Sequence, residues 1–176
     1  MQPTNEILNL QRNIFDIDNM TAYAWRVKKY FARPTYSALD IGCGLGFHTE
    51  QIAKLCNHVH FTMIDVDGVD QPVNFSPAGY AHNSIQEAKA RCNFNCEVML
   101  VDDYAWQNSI DVVISTLSWG WHYPLSLYMD RVLQLQPVYI IVDQRDIRDT
   151  IPGYDKIDSF TINRKETTIV YAKSLS

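Results

Sequence analysis

The chain has no long apolar run. No stretch reaches the roughly 20 consecutive apolar residues that a membrane-spanning helix needs. The polar N-terminus has no apolar core of the kind a secretory leader requires. Cysteine is sparse, with four in 176 residues: Cys43, Cys56, Cys92 and Cys96. The Cys92–Cys96 spacing has no second pair beside it, so a zinc site is not indicated. Buried free thiols in a reducing compartment are expected, and with them a soluble, cytoplasmic protein. Runs of basic residues are also missing, and the net charge is −5. The densest basic patches, Arg26-Lys28-Lys29-Arg33 and Arg145-Arg148, are small, and acids interleave the second. Nucleic-acid binders usually cluster Lys and Arg, so nucleic acid is not the expected partner. Repeats, low-complexity tracts and linkers are absent, so one domain over 1–176 is expected, with no separate substrate domain.

What is present concentrates in Ala38 to Gly46, Ala-Leu-Asp-Ile-Gly-Cys-Gly-Leu-Gly. The apolar run Ala38, Leu39, Ile41 suits a buried parallel strand. Gly42, Gly44 and Gly46 follow at alternate positions, where a missing Cβ permits a tight turn and lets a ligand meet the backbone. A helical pattern then starts at Phe47. Strand, glycine turn and helix place a nucleotide-like ligand at the carboxyl end of a parallel sheet. Dinucleotide sites want G-x-G-x-x-G. Counted from Gly42, the third of those glycines falls on Phe47.

The pattern Asp40-x-Gly42-x-Gly44-x-Gly46 resembles the first motif of the class I S-adenosylmethionine-dependent methyltransferases. Their ligand has no pyrophosphate, so the early third glycine is no obstacle. The resemblance runs from about Ser37 to Asp143. It implies a doubly wound α/β fold: a seven-stranded, mostly parallel sheet ending in an antiparallel hairpin, in three αβα layers. A Rossmann-like core over 35–176 would follow an N-terminal helical segment, 1–34. S-adenosylmethionine is the implied cofactor and methyl transfer the implied reaction.

The strand patterns agree with that frame. Strands are expected near 37–42, 59–65, 96–101, 110–115, 138–142, 157–163 and 167–173, and helices near 47–56, 82–92 and 124–135. The last two strands read as a hairpin turning at about Asn163. Ahead of the first strand, Ile7, Leu8, Ile14, Phe15, Ala22, Trp25, Val27 and Phe31 have helical spacing, and Pro34 ends the run. Trp25, Tyr30 and Phe31 are read either as core contacts or as a lid.

His60 to Asp65 ends in a carboxylate about 20 residues past the glycine turn, where a ribose-binding acid belongs. Asp65 is the expected ribose ligand, Asp67 the fallback, and Val66 lies beside them. Glu97 to Asp102 is a third strand ending in acid. In the family an acid here meets the adenine amino group, which implies Asp102 or its neighbour Asp103. The cofactor set implied by the motifs is thus Asp40, Gly42, Cys43, Gly44, Gly46, Asp65, Val66, Asp102, Asp103 and Ser115. His48 follows the turn, near the methionine end.

The loop after the fourth strand packs two Trp, a His, a Tyr, a Gly and a Pro into Ser115 to Pro124. Trp119, Trp121 and Tyr123 would give flat acceptor walls with polar tips, joined by His82 from the long loop after the second strand. His122 has an ordinary pKa near 6.5, suited to a general base; a structural histidine is the alternative. The loop has neither Asp-Pro-Pro-Tyr nor Pro-Cys, the signatures of nucleic-acid amino and cytosine-C5 enzymes. Ser118-Trp-Gly-Trp-His-Tyr-Pro124, with His82 to Lys89, resembles bacterial methyltransferase-like proteins associated with sugar or polysaccharide modification. This implies a small-molecule acceptor, a sugar-like hydroxyl. An RNA, DNA or protein methyltransferase and a cofactor-binding module without transferase activity are the competing readings. Asp143-Gln-Arg-Asp146 with Asp149 is read as a solvated turn, and no metal is expected.

Overall fold

The computed structural model describes residues 17–32, 34–66, 84–161 and 167–174, together with the backbone of 71–72 and 80–81. The apolar positions before Ile17, the fallback Asp67, His82 and the hairpin tip at Asn163 lie outside these residues. Seven strands form one sheet: β1 Ser37–Ile41, β2 His60–Asp65, β3 Cys96–Leu100, β4 Val112–Ser115, β5 Tyr139–Gln144, β6 Tyr154–Phe160 and β7 Thr167–Lys173. Their spatial order is β3-β2-β1-β4-β5-β7-β6. The first five are parallel, and β7 runs antiparallel between β5 and β6. This is the expected doubly wound sheet with its terminal hairpin.

The sheet is covered on both faces because its central strands are buried on both sides. Side chains alternate along a strand, and the core divides accordingly. Ala38, Phe61, Met63, Val112, Ile114, Ile141 and Val170 face one layer, built from α1 Ile17–Val27, α2 Phe47–Leu55 and α3 Ile85–Arg91. Leu39, Ile41, Ile64, Val113, Ile140, Val142 and Ile169 face the other, where α4 Met129–Leu135 packs with Trp106, Trp119 and Leu125. Tyr30 and Phe31 are core residues, whereas Trp25 is exposed. Helix α1 and the 3₁₀ turn that follows it, Lys28–Phe31, are tied to the far sheet edge: Arg26, Lys29 and Tyr30 all bond Asp158 on β6.

Among the boundaries that differ from the sequence reading, β4 starts at Val112 rather than 110, β5 runs to Gln144 rather than 142, and three more follow. Helix α3 begins at Ile85, because Ser84 caps it by accepting from the Glu87 N–H at 3.2 Å. The expected 124–135 helix is a 3₁₀ turn, Leu125–Leu127, followed by α4. Strand β6 starts at Tyr154, three residues before the expected 157. A bulge between Lys156 and Asp158 turns Ile157 out to solvent, so the apolar pattern of this edge strand misleads.

The β1–α2 turn fixes the geometry of the carboxyl edge. Gly42, Gly44 and Gly46 have φ of +75°, +55° and +76°. A Cβ on Gly46 would lie 2.5 Å from Met63 Cε and 2.8 Å from Cys92 Sγ. Gly46→Ala is expected to destabilise the fold by about 1–3 kcal/mol, from left-handed strain and crowding together. Urea denaturation measures this; an unchanged midpoint would mean the turn does not need glycine at that position.

Candidate functional site

Period-two alternation places three carboxylates on the same sheet face, at the carboxyl ends of three strands. Ala38 (β1), Met63 (β2) and Ile141 (β5) belong to the α1–α3 layer; two residues on, so do Asp40, Asp65 and Asp143. All three are buried, at 4%, 8% and 4% exposure. Carboxylates seldom reach this degree of burial without partners, and each has its own set.

Asp65 is held by the glycine turn. Its Oδ2 accepts from the Gly44 N–H at 2.6 Å and its Oδ1 from the Val66 N–H at 2.7 Å. The turn in turn donates the Gly42 and Cys43 N–H groups to Ile64 O, at 2.8 and 3.2 Å. Burial pushes the Asp65 carboxyl up, and the bonds from Gly44 and Val66 oppose it. Asp40 accepts a short hydrogen bond from the Thr49 hydroxyl on α2. Burial pushes it up to about 7; Thr49 opposes the rise and the Asp65 charge adds to it.

Asp143 is part of β5 rather than of a loop after it, which corrects the reading of Asp143 as a turn acid. Its Oδ1 accepts from the Thr168 hydroxyl at 2.6 Å and its Oδ2 from the Leu117 N–H at 3.0 Å. Leu117 has φ +56°, a strained conformation for a leucine, so Asp143 holds the loop after β4 in an uncommon shape. Among the described residues no group of acids, histidines and cysteines could hold a metal ion. All four cysteines are free thiols, and burial pushes Cys43 well above its ordinary value, so it remains a protonated thiol.

Two of the expected cofactor residues have other partners. The space beside Gly42 belongs to Ser118, whose Oγ lies 1.8 Å from where a Cβ would stand. Gly42 is thus required by the loop after β4. Ser115 is fully buried; its hydroxyl donates to Ile41 O at 2.7 Å and accepts from the Trp119 N–H at 2.9 Å. It latches that loop onto β1 rather than facing a ligand.

The acceptor set divides too. Trp119 is fully buried in the second core layer, and its Nε1 donates to Leu125 O at 2.7 Å, so it is core and not a pocket wall. Trp121 is half-buried under the Arg145 guanidinium, 5.3 Å from the ring centroid. His122 and Tyr123 are exposed. Leu127 and Ile147 extend an exposed apolar rim. Asp102 and Asp103 are exposed past β3. Asp103 lines a groove of about 340 Å³ with Ile85, Gln86, Lys89 and Leu100. Beyond them Trp106 stacks on Tyr128 at 5.7 Å.

Sequence reasoning missed three contributors. Arg91 braces the turn: its Nε donates to Leu45 O at 3.1 Å, it pairs with Glu50, and its guanidinium covers Phe47 at 3.6 Å. Thr49 satisfies Asp40. Tyr23, buried on α1, lies edge-on to His48 at 5.6 Å. No motif marks them, since their partners are remote in sequence.

The strand order, the glycine turn and the acid at the end of β2 define the class I methyltransferase fold. No protein-family model matches the chain. Among curated proteins, it is 29% identical over 99 residues to a malonyl-[acyl-carrier protein] O-methyltransferase of Bacillus anthracis, covering 53% of this chain and 31% of that protein. The chain thus spans about a third of the length of the curated relatives it matches. Among solved structures, magnesium protoporphyrin IX methyltransferase from Synechocystis PCC 6803, with bound SAM, has a TM-score of 0.55 at 14% identity, over 90% of this chain and 78% of that one. The 16S rRNA methylase ArmA has 0.56 at 13% identity, over 90% and 84%. The plantazolicin methyltransferase BpumL, in complex with SAH, has 0.52 at 20%, over 80% and 52%. At these identities the structural likeness concerns the fold. No helix among the described residues is long and apolar enough to cross a membrane.

Asp40 gives a pH test of the site. Its pKa in the fold, about 7, lies above the reference 3.8. Its contribution to stability is therefore fully present below about pH 4 and lost as pH rises through about 7. Asp40→Asn should be more stable than wild type at pH 8, by up to about 4 kcal/mol, with the gap closing near pH 4. Denaturation at both pH values checks this, and a gap that does not change with pH would remove Asp40 as a buried titrating group.

Proposed function

We propose that the protein is an S-adenosylmethionine-dependent methyltransferase acting on an oxygen of a small-molecule acceptor. The observation that carries the reading is the clamp of Asp65 to Gly44 and Val66. It sets a carboxylate, with its orientation fixed in advance, at the carboxyl end of β2 and against the backbone of the glycine turn. The cofactor's ribose hydroxyls suit the carboxylate of Asp65, since an ionised carboxyl is an acceptor for several hydrogen bonds. Gly44 and Cys43 would border the methionine portion, and Asp102 or Asp103 the adenine. Asp40 acts through Thr49 and α2, which hold the turn.

Support also comes from the relatives named as O-methyltransferases. S-adenosylmethionine supplies an electrophilic methyl, which passes to the acceptor oxygen by in-line displacement: a C–O bond forms as the C–S bond breaks. The chain's task is to hold the acceptor oxygen about 3 Å from that methyl and to take its proton if it is a hydroxyl. His122, on the exposed rim with Trp121 and Tyr123, is the proposed base. A sugar-like acceptor rests on the two aromatic rings, which suit stacking against a ring with polar edges.

Calorimetry is expected to give micromolar S-adenosylmethionine binding, about −8 kcal/mol, and none for NAD. Asp65→Ala should weaken the former by about 1.5–3 kcal/mol. NAD binding without S-adenosylmethionine binding would overturn the cofactor reading.

Labelled-methyl transfer across fractionated metabolites, glycans and RNA identifies the acceptor. With it in hand, His122→Ala should lower turnover by about 10² or more, at nearly constant cofactor affinity. Wild-type activity should fall on acidification as His122 gains its proton. Unchanged turnover in the folded variant would exclude His122 as the base.

A further inference from the structure

At the centre of the carboxyl edge lies a polar group without a partner. Tyr23 is 5% exposed, yet its hydroxyl makes no hydrogen bond. A buried hydroxyl without a bond is costly, and such groups call for an explanation. The other unpartnered atoms, in His58, Tyr104 and Trp106, lie away from this point. His58 is in the turn before β2, and the two aromatics stand beyond β3. The polar neighbours of the Tyr23 hydroxyl are Asp143, Thr116 and Asp40; Thr116 acts on it as a weak side-chain partner, short of full hydrogen-bond geometry. These residues come from β5, the loop after β4, and β1, so the hydroxyl stands over the middle of the sheet's carboxyl ends.

The ring is held in place. It lies edge-on to His48, 5.6 Å away at 81°, and tilted against Phe160 at 5.9 Å. The end of helix α1 is anchored to Asp158 through Arg26, and the 3₁₀ turn after it through Lys29 and Tyr30. Burial first, then the Asp143 charge, push its ionisation well up; Thr116 opposes the rise and Asp40 adds a little to it, so it stays a neutral hydroxyl. The field of those two carboxylates is negative, and a cationic ligand group is the complement to it.

We propose that the Tyr23 oxygen meets the sulfonium end of bound S-adenosylmethionine, so that α1 makes the site prefer the charged methyl donor over neutral S-adenosylhomocysteine. The inference rests on the cofactor reading above. The oxygen offers a lone pair to the sulfonium methyl, a weak C–H···O contact that positive charge strengthens. Its proton remains free to turn toward Thr116 or Asp143. The cost of the orphaned hydroxyl in the ligand-free fold is thereby explained as preorganisation for a cation.

The test is calorimetry of Tyr23→Phe with S-adenosylmethionine and S-adenosylhomocysteine, beside Trp25→Ala as an exposed control on the same helix. Tyr23→Phe keeps the ring and removes only the orphaned hydroxyl, so its ligand-free melting temperature should equal or exceed that of wild type. Its dissociation constant for S-adenosylmethionine should rise about five- to tenfold, the scale of one modest polar contact. That for S-adenosylhomocysteine should change less than about twofold. Trp25→Ala should leave both constants unchanged. Equal losses for the two ligands, or no loss in a folded Tyr23→Phe, would overturn the inference while leaving the cofactor reading intact. A wild-type protein that binds neither ligand would overturn the cofactor reading itself.

Discussion

The carboxyl edge depends on one constraint: the chain must leave β1 and enter α2 within five residues while staying bonded to β2. Only a left-handed turn does this here. The positive φ of Gly42, Gly44 and Gly46 points successive N–H groups toward β2, where Ile64 O and the Asp65 carboxylate receive them. Each glycine has its own reason. Gly42 leaves room for Ser118, Gly46 lets α2 settle on Met63 and Cys92, and Gly44 feeds its N–H to Asp65. A Cβ at the first or last position would displace another part of the edge.

That turn also anchors the loop after β4. Ser118 packs on Gly42, Ser115 bonds Ile41 O, and Asp143 holds Leu117. The loop after β4 is thus fastened to β1 and β5 at three points. A loop fastened in this way can hold an acceptor with little entropy left to lose, which favours near-attack geometry. Buried carboxylates bear the cost of this order. Asp40 is raised to about 7 by its burial, a common signature of functional sites, where stability is given up for preorganisation.

The sheet was legible because parallel strands buried on both faces must be nearly continuous apolar runs, and β1, β2, β4 and β5 are. The edge strand β6 was misjudged because its exposed Ile157 sits at a bulge. The glycine turn and Asp65 were legible because chain connectivity alone sets the distance between a βα turn and the end of the next strand. Trp119 was misjudged for an instructive reason: ten residues of aromatic loop look alike in sequence, yet only one of the two Trp residues can fill the gap between β4 and Leu125. Tyr23, Arg91 and Thr49 were invisible because each gains its role from a partner on another element.

By itself, the sequence determined the α/β class, the mostly parallel sheet with its terminal hairpin, the turn and the acid facing it. These follow from local rules: hydrophobic period, glycine's missing Cβ, and the reach of a short chain segment. Tertiary structure decided which residues face a ligand and which face the protein. It gave Gly42 to Ser118, Ser115 to Ile41 and Trp119 to the core, and it brought Tyr23 from α1 over the carboxyl edge. Burial and its electrostatic consequences depend on what packs from above and below the sheet. That packing is a property of the assembled layers, which no single segment encodes.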